Sequence, residues 1–148
     1  MPVIVSLHPR TRKRIEELRI TAHPRVQFSK PFGFFDYVQL QKNARCVLSD
    51  SGTITEESSI LDFPALNLRE LHERPEGFEE AAVMFVGFNM DRVIQCLNIL
   101  GARSTNGTTR HSIVNDYQPS DVSRKVVQII HSYTDFVNKK VWRKPLVT

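Results

Sequence analysis

The chain has 148 residues, which suits one domain, and 41% of them are hydrophobic, which excludes bulk disorder. Its net charge of +4 raises the question of nucleic-acid binding. The sequence offers neither an aromatic platform nor zinc-finger spacing, so we expect no nucleic-acid partner. No apolar run approaches the roughly 20 residues of a membrane span, and Cys46 and Cys96 have no paired spacing. We therefore expect a cytoplasmic domain with free core thiols and no membrane partner.

Short β-branched and apolar runs alternate with helix-prone runs along the first 100 residues. The predicted strands, in chain order, cover residues 3–6, 25–28, 45–49, 64–68 and 83–86. The predicted helices between and after them cover residues 11–18, 34–43, 54–61 and 90–100. This alternation is typical of βαβ units, so the predicted fold class is α/β, a Rossmann-like parallel sheet with helices on both faces.

The last third of the chain changes character. Residues 101–119 carry turn residues without a period and are predicted to form a loop. A C-terminal helix is predicted over 120–142, with Ser120 as its N-cap and an apolar face. Residues 1–148 are thus interpreted as one domain, with its βα core in residues 1–100.

The segment "SDSGTITEE" (49–57) follows a predicted buried strand and opens a predicted helix. In open α/β sheets ligands bind beyond the carboxyl ends of the strands. Thr53 and Glu56 fit a capping box, and Gly52 permits close approach of the backbone to a ligand. The free N–H groups of the helix start are then a candidate phosphate site. The alternative is a well-capped helix without a ligand.

The segment "NLRELHERPEGFEE" (67–80) follows the next strand and should emerge at the same edge of the sheet. Arg69 and Arg74 are candidates for binding a diphosphate. Pro75 and Gly77 predict a loop here, not a helix. The alternative is a solvated loop in which the arginines pair with the neighbouring glutamates.

Other candidates are less specific. Aromatic residues in 31–37 could stack on a nucleobase, although most of them are expected in the core. His8 at the end of the first strand could bind phosphate or donate to a sugar hydroxyl, or could be structural. No Cys/His/Asp set has metal-ligand spacing, so no metal site is predicted.

Together, "SDSGTITEESSILDFPALNLRELHERPEG" and the residues around it resemble the C-terminal half of the non-hydrolysing UDP-N-acetylglucosamine 2-epimerase family. The resemblance runs from about residue 3 to residue 100. The forms "SGTITEESSI" and "HERPEG" are most similar to the branch that makes UDP-N-acetyl-L-fucosamine for surface polysaccharide. The resemblance implies two Rossmann-like domains in a GT-B-type arrangement, of which this chain is the C-terminal, UDP-binding one.

The resemblance also implies roles for particular residues. Ser51, Gly52 and Thr53 would bind the diphosphate, and Glu57 the ribose hydroxyls. The other implied positions are Tyr37 beside the uracil, Arg74 near the diphosphate or sugar, His8 lining the cleft, and Arg69, His72 and Glu73 in a supporting loop. Thr53 stands where many members have a second glycine, and His72 replaces the usual threonine.

The implied reaction is inversion at carbon 2 of a UDP-N-acetylhexosamine by elimination and re-addition of UDP, without a cofactor. The family's proton-transferring carboxylates lie on an N-terminal domain, which we expect to be absent here. The chain is therefore expected to be inactive alone, to use a separate N-terminal domain, and to form a homo-oligomer when full length. Two alternatives stay open: a stand-alone UDP-binding or regulatory module, and half of a GT-B glycosyltransferase.

Overall fold

The structure is a computed structural model that describes residues 1–71, 73–105, 113–118 and 120–144, without the side chains of residues 102–105. Strands and helices alternate along the chain as βαβ units require. They are β1 (Val3–Ser6), α1 (Pro9–Glu17), β2 (Val26–Ser29), α2 (Phe34–Asn43), β3 (Val47–Ser49), α3 (Ile54–Leu61), β4 (Ala65–Asn67), α4 (Pro75–Glu79), β5 (Met84–Phe85), α5 (Met90–Thr105) and α6 (Val122–Phe136). A 3₁₀ turn at Asn115–Tyr117 precedes α6, and a π-helical turn at Val137–Val141 follows it.

All strand pairs are parallel, which confirms the predicted fold class, but they form two sheets instead of one. β1 pairs with β2, with Val3 opposite Val26. β4 lies between β3 and β5, with Leu66 opposite both Leu48 and Met84. The described residues contain no ladder between the two sheets. The prediction of a single five-stranded sheet was therefore wrong.

The core is built on both faces of β4, because successive side chains of a strand point to opposite faces. Leu66 packs with Val86 and with Val93, Cys96 and Leu100 of α5. On the other face Ala65 packs with Ile54, Phe63 and Val83, beneath α3. β4 is thus covered on both faces. Since β3 pairs with it, the core fixes the positions of the carboxyl ends of both strands.

Several predicted boundaries need correction. Residues 75–79 form helix α4, not a loop, because Pro75 at the first helical position fits the start of a helix and Gly77 packs closely on α3. Helix α5 continues to Thr105, into the predicted loop, while residues 106–112 and 119 lie outside the described residues. The N-cap of α6 is Asp121, in the left-handed conformation, and not Ser120.

Helix α6 has the predicted apolar face, and that face is exposed. Its exposed apolar residues are Val122, Val126, Val127, Ile129, Ile130, Tyr133 and Phe136. None of the helices among the described residues has the length and hydrophobicity that a membrane span requires.

Candidate functional site

The loop at residues 51–53 joins the carboxyl end of β3 to the start of α3. Its turn is held by side-chain oxygens: the Ser51 N–H donates to Ser49 Oγ at 3.1 Å, and the Thr53 N–H donates to Ser51 Oγ at 3.3 Å. The hydroxyls of Ser51 and Thr53 lie 3.0 Å apart. The first N–H groups of a helix have no intrahelical carbonyl to bind, so this loop presents hydroxyls and the positive end of α3 together.

The predicted capping box is not formed. Thr53 has helical angles (φ −73°, ψ −9°), and its side chain does not cap the helix. Its hydroxyl donates instead to Glu57 Oε1 at 2.7 Å. Glu56, the other member of the predicted box, accepts from Arg74. Both carboxylates at the start of α3 thus accept hydrogen bonds from side chains near the loop, and neither serves as part of a helix cap.

Arg69 lies directly against the 51–53 loop. Its Nη1 is 3.3 Å from Glu73 Oε2, and a Cβ built on Gly52 would lie 3.6 Å from the same Nη1. The Arg69 N–H donates to Oδ1 of Asn67, the buried last residue of β4, at 2.9 Å. The turn after β4 therefore directs a guanidinium to the loop after β3, as the sequence predicted.

Arg74 is anchored on α3. Its Nε donates to Glu56 Oε1 at 2.6 Å, and its Nη1 donates to the Glu73 carbonyl at 3.0 Å. The hydrogen bond to Glu56, and then the charge of that carboxylate, raise the pKa of Arg74 above its ordinary value. Glu56 Oε2 is buried with no hydrogen-bond partner among the described residues. The pair keeps a permanent cation beside the start of α3. The predicted pairing with neighbouring glutamates of the same loop is formed by Arg69 with Glu73, whereas Arg74 pairs with Glu56 of α3.

Tyr37 and Glu57 come together through Gln41, a residue that sequence reasoning missed. Gln41 lies on α2 one turn after Tyr37, is only 2% exposed, and donates through Nε2 to Glu57 Oε2 at 2.5 Å. Burial, and then the charge of Glu57, raise the pKa of Tyr37, which a hydrogen bond from Gln41 partly opposes. The 3.6-residue period of α2 is the signal that could have placed Gln41 beside Tyr37.

A second residue that the sequence did not point to is Tyr117, which contacts helix α4. Its hydroxyl donates to Glu76 Oε1 at 3.0 Å, and burial, then this hydrogen bond, raise its pKa. The segment before it is tied to α3, because the Val114 N–H donates to the buried hydroxyl of Ser59 at 2.9 Å. These partners are 41 and 55 residues apart in sequence, so no local pattern reveals them.

His8 and two of the aromatic candidates stand apart from this cluster. His8 is the N-cap of α1, where its Nδ1 accepts from the Arg10 N–H, and its described contacts do not include the 51–53 loop. Phe34 and Phe35 are 75% and 82% exposed, and Phe32 and Tyr37 are only partly buried, so the expectation that the aromatics of 31–37 lie mostly in the core was wrong. His72 lies outside the described residues. No group of His, Cys, Asp and Glu in the described part of the chain could hold a metal ion.

Comparison with known proteins gives one consistent answer. Residues 1–131 match the family model described as UDP-N-acetylglucosamine 2-epimerase. The UDP-N-acetylglucosamine 2-epimerase of Methanocaldococcus jannaschii is 35% identical over a 108-residue alignment that covers 70% of this chain and 30% of that protein. The structure of the Rickettsia bellii enzyme of the same name has a TM-score of 0.80 and 42% identity, over 97% of this chain and 40% of that one. The M. jannaschii structure in complex with UDP-GlcNAc and UDP has a TM-score of 0.67 and 30% sequence identity, and the match covers 88% of this chain and 36% of that one.

Proposed function

The chain belongs to the UDP-N-acetylglucosamine 2-epimerase family, and we propose that it forms the UDP-binding part of an enzyme that inverts carbon 2 of a UDP-N-acetylhexosamine. The chain spans about a third of the length of the relatives that it matches. The family match favours this function over half of a glycosyltransferase, which would have the same kind of fold. The finer assignment to the UDP-N-acetyl-L-fucosamine-forming branch stays a prediction.

The observation that carries the proposal is the convergence of three phosphate-binding features at one edge of the sheet. The 51–53 loop supplies hydroxyls and the start of α3. Arg69 lies against Gly52 from the end of β4, and Arg74 lies over the first turn of α3 through Glu56. A helix N-terminus and guanidinium groups each bind phosphate, and the turns after two adjacent strands bring them together here.

The nucleoside would lie on the α2 side of the same loop. Glu57 keeps free acceptor positions, since a carboxylate has about four lone-pair sites and Thr53 and Gln41 occupy two of them. We assign those free positions to the ribose hydroxyls and the ring of Tyr37 to the uracil. His8 and His72 remain candidates for the sugar side of the cleft.

The chemical contribution of this chain is to hold the leaving group. Elimination of UDP develops negative charge on the departing diphosphate, which fixed N–H groups, hydroxyls and guanidiniums stabilise. The abstraction of the carbon-2 proton needs a base, and three carboxylates beside this loop already have partners. Glu56 accepts from Arg74, Glu57 from Thr53 and Gln41, and Glu73 pairs with Arg69. We therefore assign the base to a domain outside these 148 residues.

The proposal is tested by titrating the purified chain with UDP, UMP and uridine in a calorimeter. Because the proposed site contacts both phosphates, UDP should bind at least about tenfold more tightly than UMP, a difference in binding free energy of about 1.4 kcal/mol. UMP should in turn bind more tightly than uridine. Equal affinities for UDP and UMP, or binding of uridine as tight as that of UDP, would remove the diphosphate site from the 51–53 loop.

A further inference from the structure

Arg74 lies near two carboxylates, and only one of them pairs with it. Its Nε donates to Oε1 of Glu56, on α3, at 2.6 Å. Glu76, in the first turn of α4, is close enough that its charge also raises the pKa of Arg74, after the larger effects of the hydrogen bond to Glu56 and of the charge of Glu56. Within the described residues, however, Arg74 and Glu76 form no ion pair.

Tyr117 provides Glu76 with a different partner. Its hydroxyl donates to Glu76 Oε1 at 3.0 Å. A hydroxyl and a guanidinium are both donors, so the two side chains compete for this carboxylate. Burial, and then the hydrogen bond to Glu76, raise the pKa of Tyr117, so its hydroxyl remains a donor at neutral pH.

The backbone around Tyr117 holds this hydroxyl in place. The Val114 N–H donates to the buried hydroxyl of Ser59, on α3, at 2.9 Å, and the Tyr117 N–H donates to the Val114 carbonyl at 3.0 Å. Val114 itself is only 2% exposed. Helix α3 therefore carries both Glu56, which orients Arg74, and Ser59, which anchors the segment that contains Tyr117.

The competition for Glu76 matters because Arg74 keeps N–H groups that a phosphate can use. A guanidinium carries five N–H donors in a planar fork. The hydrogen bonds to Glu56 and to the Glu73 carbonyl use two of them. A second carboxylate on Arg74 would take further donors and would place another negative charge beside a diphosphate.

We propose that Tyr117 is a positioning residue for the diphosphate: its hydroxyl binds Glu76, so Glu76 does not pair with Arg74, and the remaining N–H groups of Arg74 bind phosphate. This inference rests on the proposed function, in which Arg74 contacts the diphosphate of UDP. Tyr117 makes no contact with the ligand in this arrangement. It acts through Glu76, which lies 41 residues earlier in the chain.

The test is calorimetric titration of the 148-residue chain and its variants with UDP. Tyr117→Phe removes the hydroxyl and keeps the ring, so Glu76 becomes free to pair with Arg74, and UDP affinity should fall roughly five- to tenfold. Glu76→Gln removes the competing charge and keeps an acceptor for Tyr117, so UDP affinity should stay within about twofold of that of the unsubstituted chain. The double variant should regain the unsubstituted affinity, because no second carboxylate remains to pair with Arg74.

Two comparisons separate positioning from a purely structural role. In an Arg74→Ala chain, Tyr117→Phe should cause no further loss of UDP affinity, since the hydroxyl acts only through Arg74. Tyr133→Phe is the matched control, because it removes a hydroxyl from α6 at a position that is 58% exposed, and it should leave UDP affinity unchanged. A structural contribution of Tyr117 would instead lower UDP affinity equally in the Arg74→Ala and Glu76→Gln backgrounds.

The inference is overturned if Tyr117→Phe binds UDP as tightly as the unsubstituted chain, or if the double variant is as weak as Tyr117→Phe. It is also overturned if Tyr117→Phe does not fold, since the hydroxyl would then serve the fold alone. In each case the unsubstituted chain would still prefer UDP over UMP. Failure of the proposed function would appear in the unsubstituted chain itself, as equal affinities for UDP and UMP, and would overturn both.

Discussion

At the scale of single residues, Gln41 has the most specific role to test. It is buried, and its amide holds one oxygen of Glu57 while Thr53 holds the other. Gln41→Met keeps the side-chain length but leaves Glu57 with one fixed oxygen. We expect UDP to bind severalfold more weakly while 2′-deoxy-UDP changes much less, because the lost alignment concerns ribose hydroxyls. Calorimetry with both ligands measures the two effects.

The control for Gln41 is Glu57 itself. Glu57→Gln keeps the shape and removes the charge, so it should weaken UDP binding and leave free pyrophosphate unchanged. Loss of pyrophosphate binding in either variant would show that Gln41 and Glu57 act on the fold of α3, and that the ribose assignment is wrong.

Arg74 tests whether the site uses a positioned guanidinium or only the general positive charge of the chain. Arg74→Ala removes the cation fixed on Glu56, and we expect roughly a tenfold loss of UDP affinity. Arg14→Ala removes the same charge from exposed α1, where Arg14 makes a surface pair with Glu17 at 3.4 Å, and should change little. If the two variants lose the same affinity, long-range charge explains the binding.

The same residues show why local reading failed in part. The spacing of Thr53 and Glu56 predicted a capping box, and the position of these residues at the start of α3 was right. The box is absent because Arg74, 18 residues later, takes Glu56, and because Glu57 competes for Thr53. A capping pattern considers only residues that are close in sequence, whereas Glu56 is bound by a residue from a different loop.

At the scale of elements, the docking of α4 on α3 depends on Gly77. A Cβ at this position would collide with the Thr55 side chain and lie 3.1 Å from the Tyr117 hydroxyl. We expect Gly77→Ala to reduce the free energy of unfolding by about 1–3 kcal/mol, the usual cost of overpacking. Since Arg74 is the residue before α4, UDP affinity should fall as well. Chemical denaturation and calorimetry measure the two effects.

Gly33 provides the matched control. It is the N-cap of α2, and the nearest atom to a Cβ built there is Asp36 Oδ2 at 3.8 Å. Gly33→Ala should therefore change stability little. A loss in Gly33→Ala equal to that in Gly77→Ala would mean that general glycine effects, and not contact between α3 and α4, cause the destabilisation.

Cys46, packed against the core between β4 and α5, gives a prediction about pH. Burial, the largest cause, raises the pKa of this thiol to about 12. Because the folded pKa lies above the unfolded one, Cys46 contributes its full stability below the unfolded value, and the contribution is lost as pH rises toward 12. Iodoacetamide should accordingly label Cys46 far more slowly in the folded chain at pH 8 than in urea. Equal rates would show that Cys46 is accessible.

The prediction of a loop at residues 75–79 was wrong for a similar reason, because contacts from distant segments decide the structure of α4. Pro75 and Gly77 read as loop residues, yet proline is well suited to the first position of a helix. Gly77 is required by contact with Thr55 and Tyr117, residues from two other segments. The sequence predicts a strand or a helix correctly where its apolar residues recur regularly. Helices α2 and α3 are examples, because their observed bounds agree with the prediction.

At the scale of the whole molecule, the sequence predicted the fold class but not the division into two sheets. A run such as Val3-Ile4-Val5 is typical of a buried strand, and its pattern does not tell which strand lies beside it. Pairing partners depend on segments far apart in the chain, so a local strand pattern does not show which strands pair. For the candidate site, motifs pointed to Ser51, Thr53, Glu57 and Arg74, and their binding roles stay predictions. The contacts of Gln41 and Tyr117 depend on tertiary structure, which no motif shows.

The last prediction concerns catalysis by the 148 residues alone: they should bind UDP-N-acetylglucosamine without moving the proton at carbon 2. A general base must come within about 3 Å of the proton that it removes. Three carboxylates beside the 51–53 loop have partners: Glu56 accepts from Arg74, Glu57 accepts from Thr53 and Gln41, and Glu73 pairs with Arg69. Glu76 accepts from Tyr117. The test is incubation with UDP-N-acetylglucosamine, or the corresponding L-sugar nucleotide, in deuterated water. The M. jannaschii enzyme serves as the positive control. Deuterium at carbon 2 in the sample that contains only this chain would place a base among these residues or at His8, and the assignment of the base to another domain would be wrong.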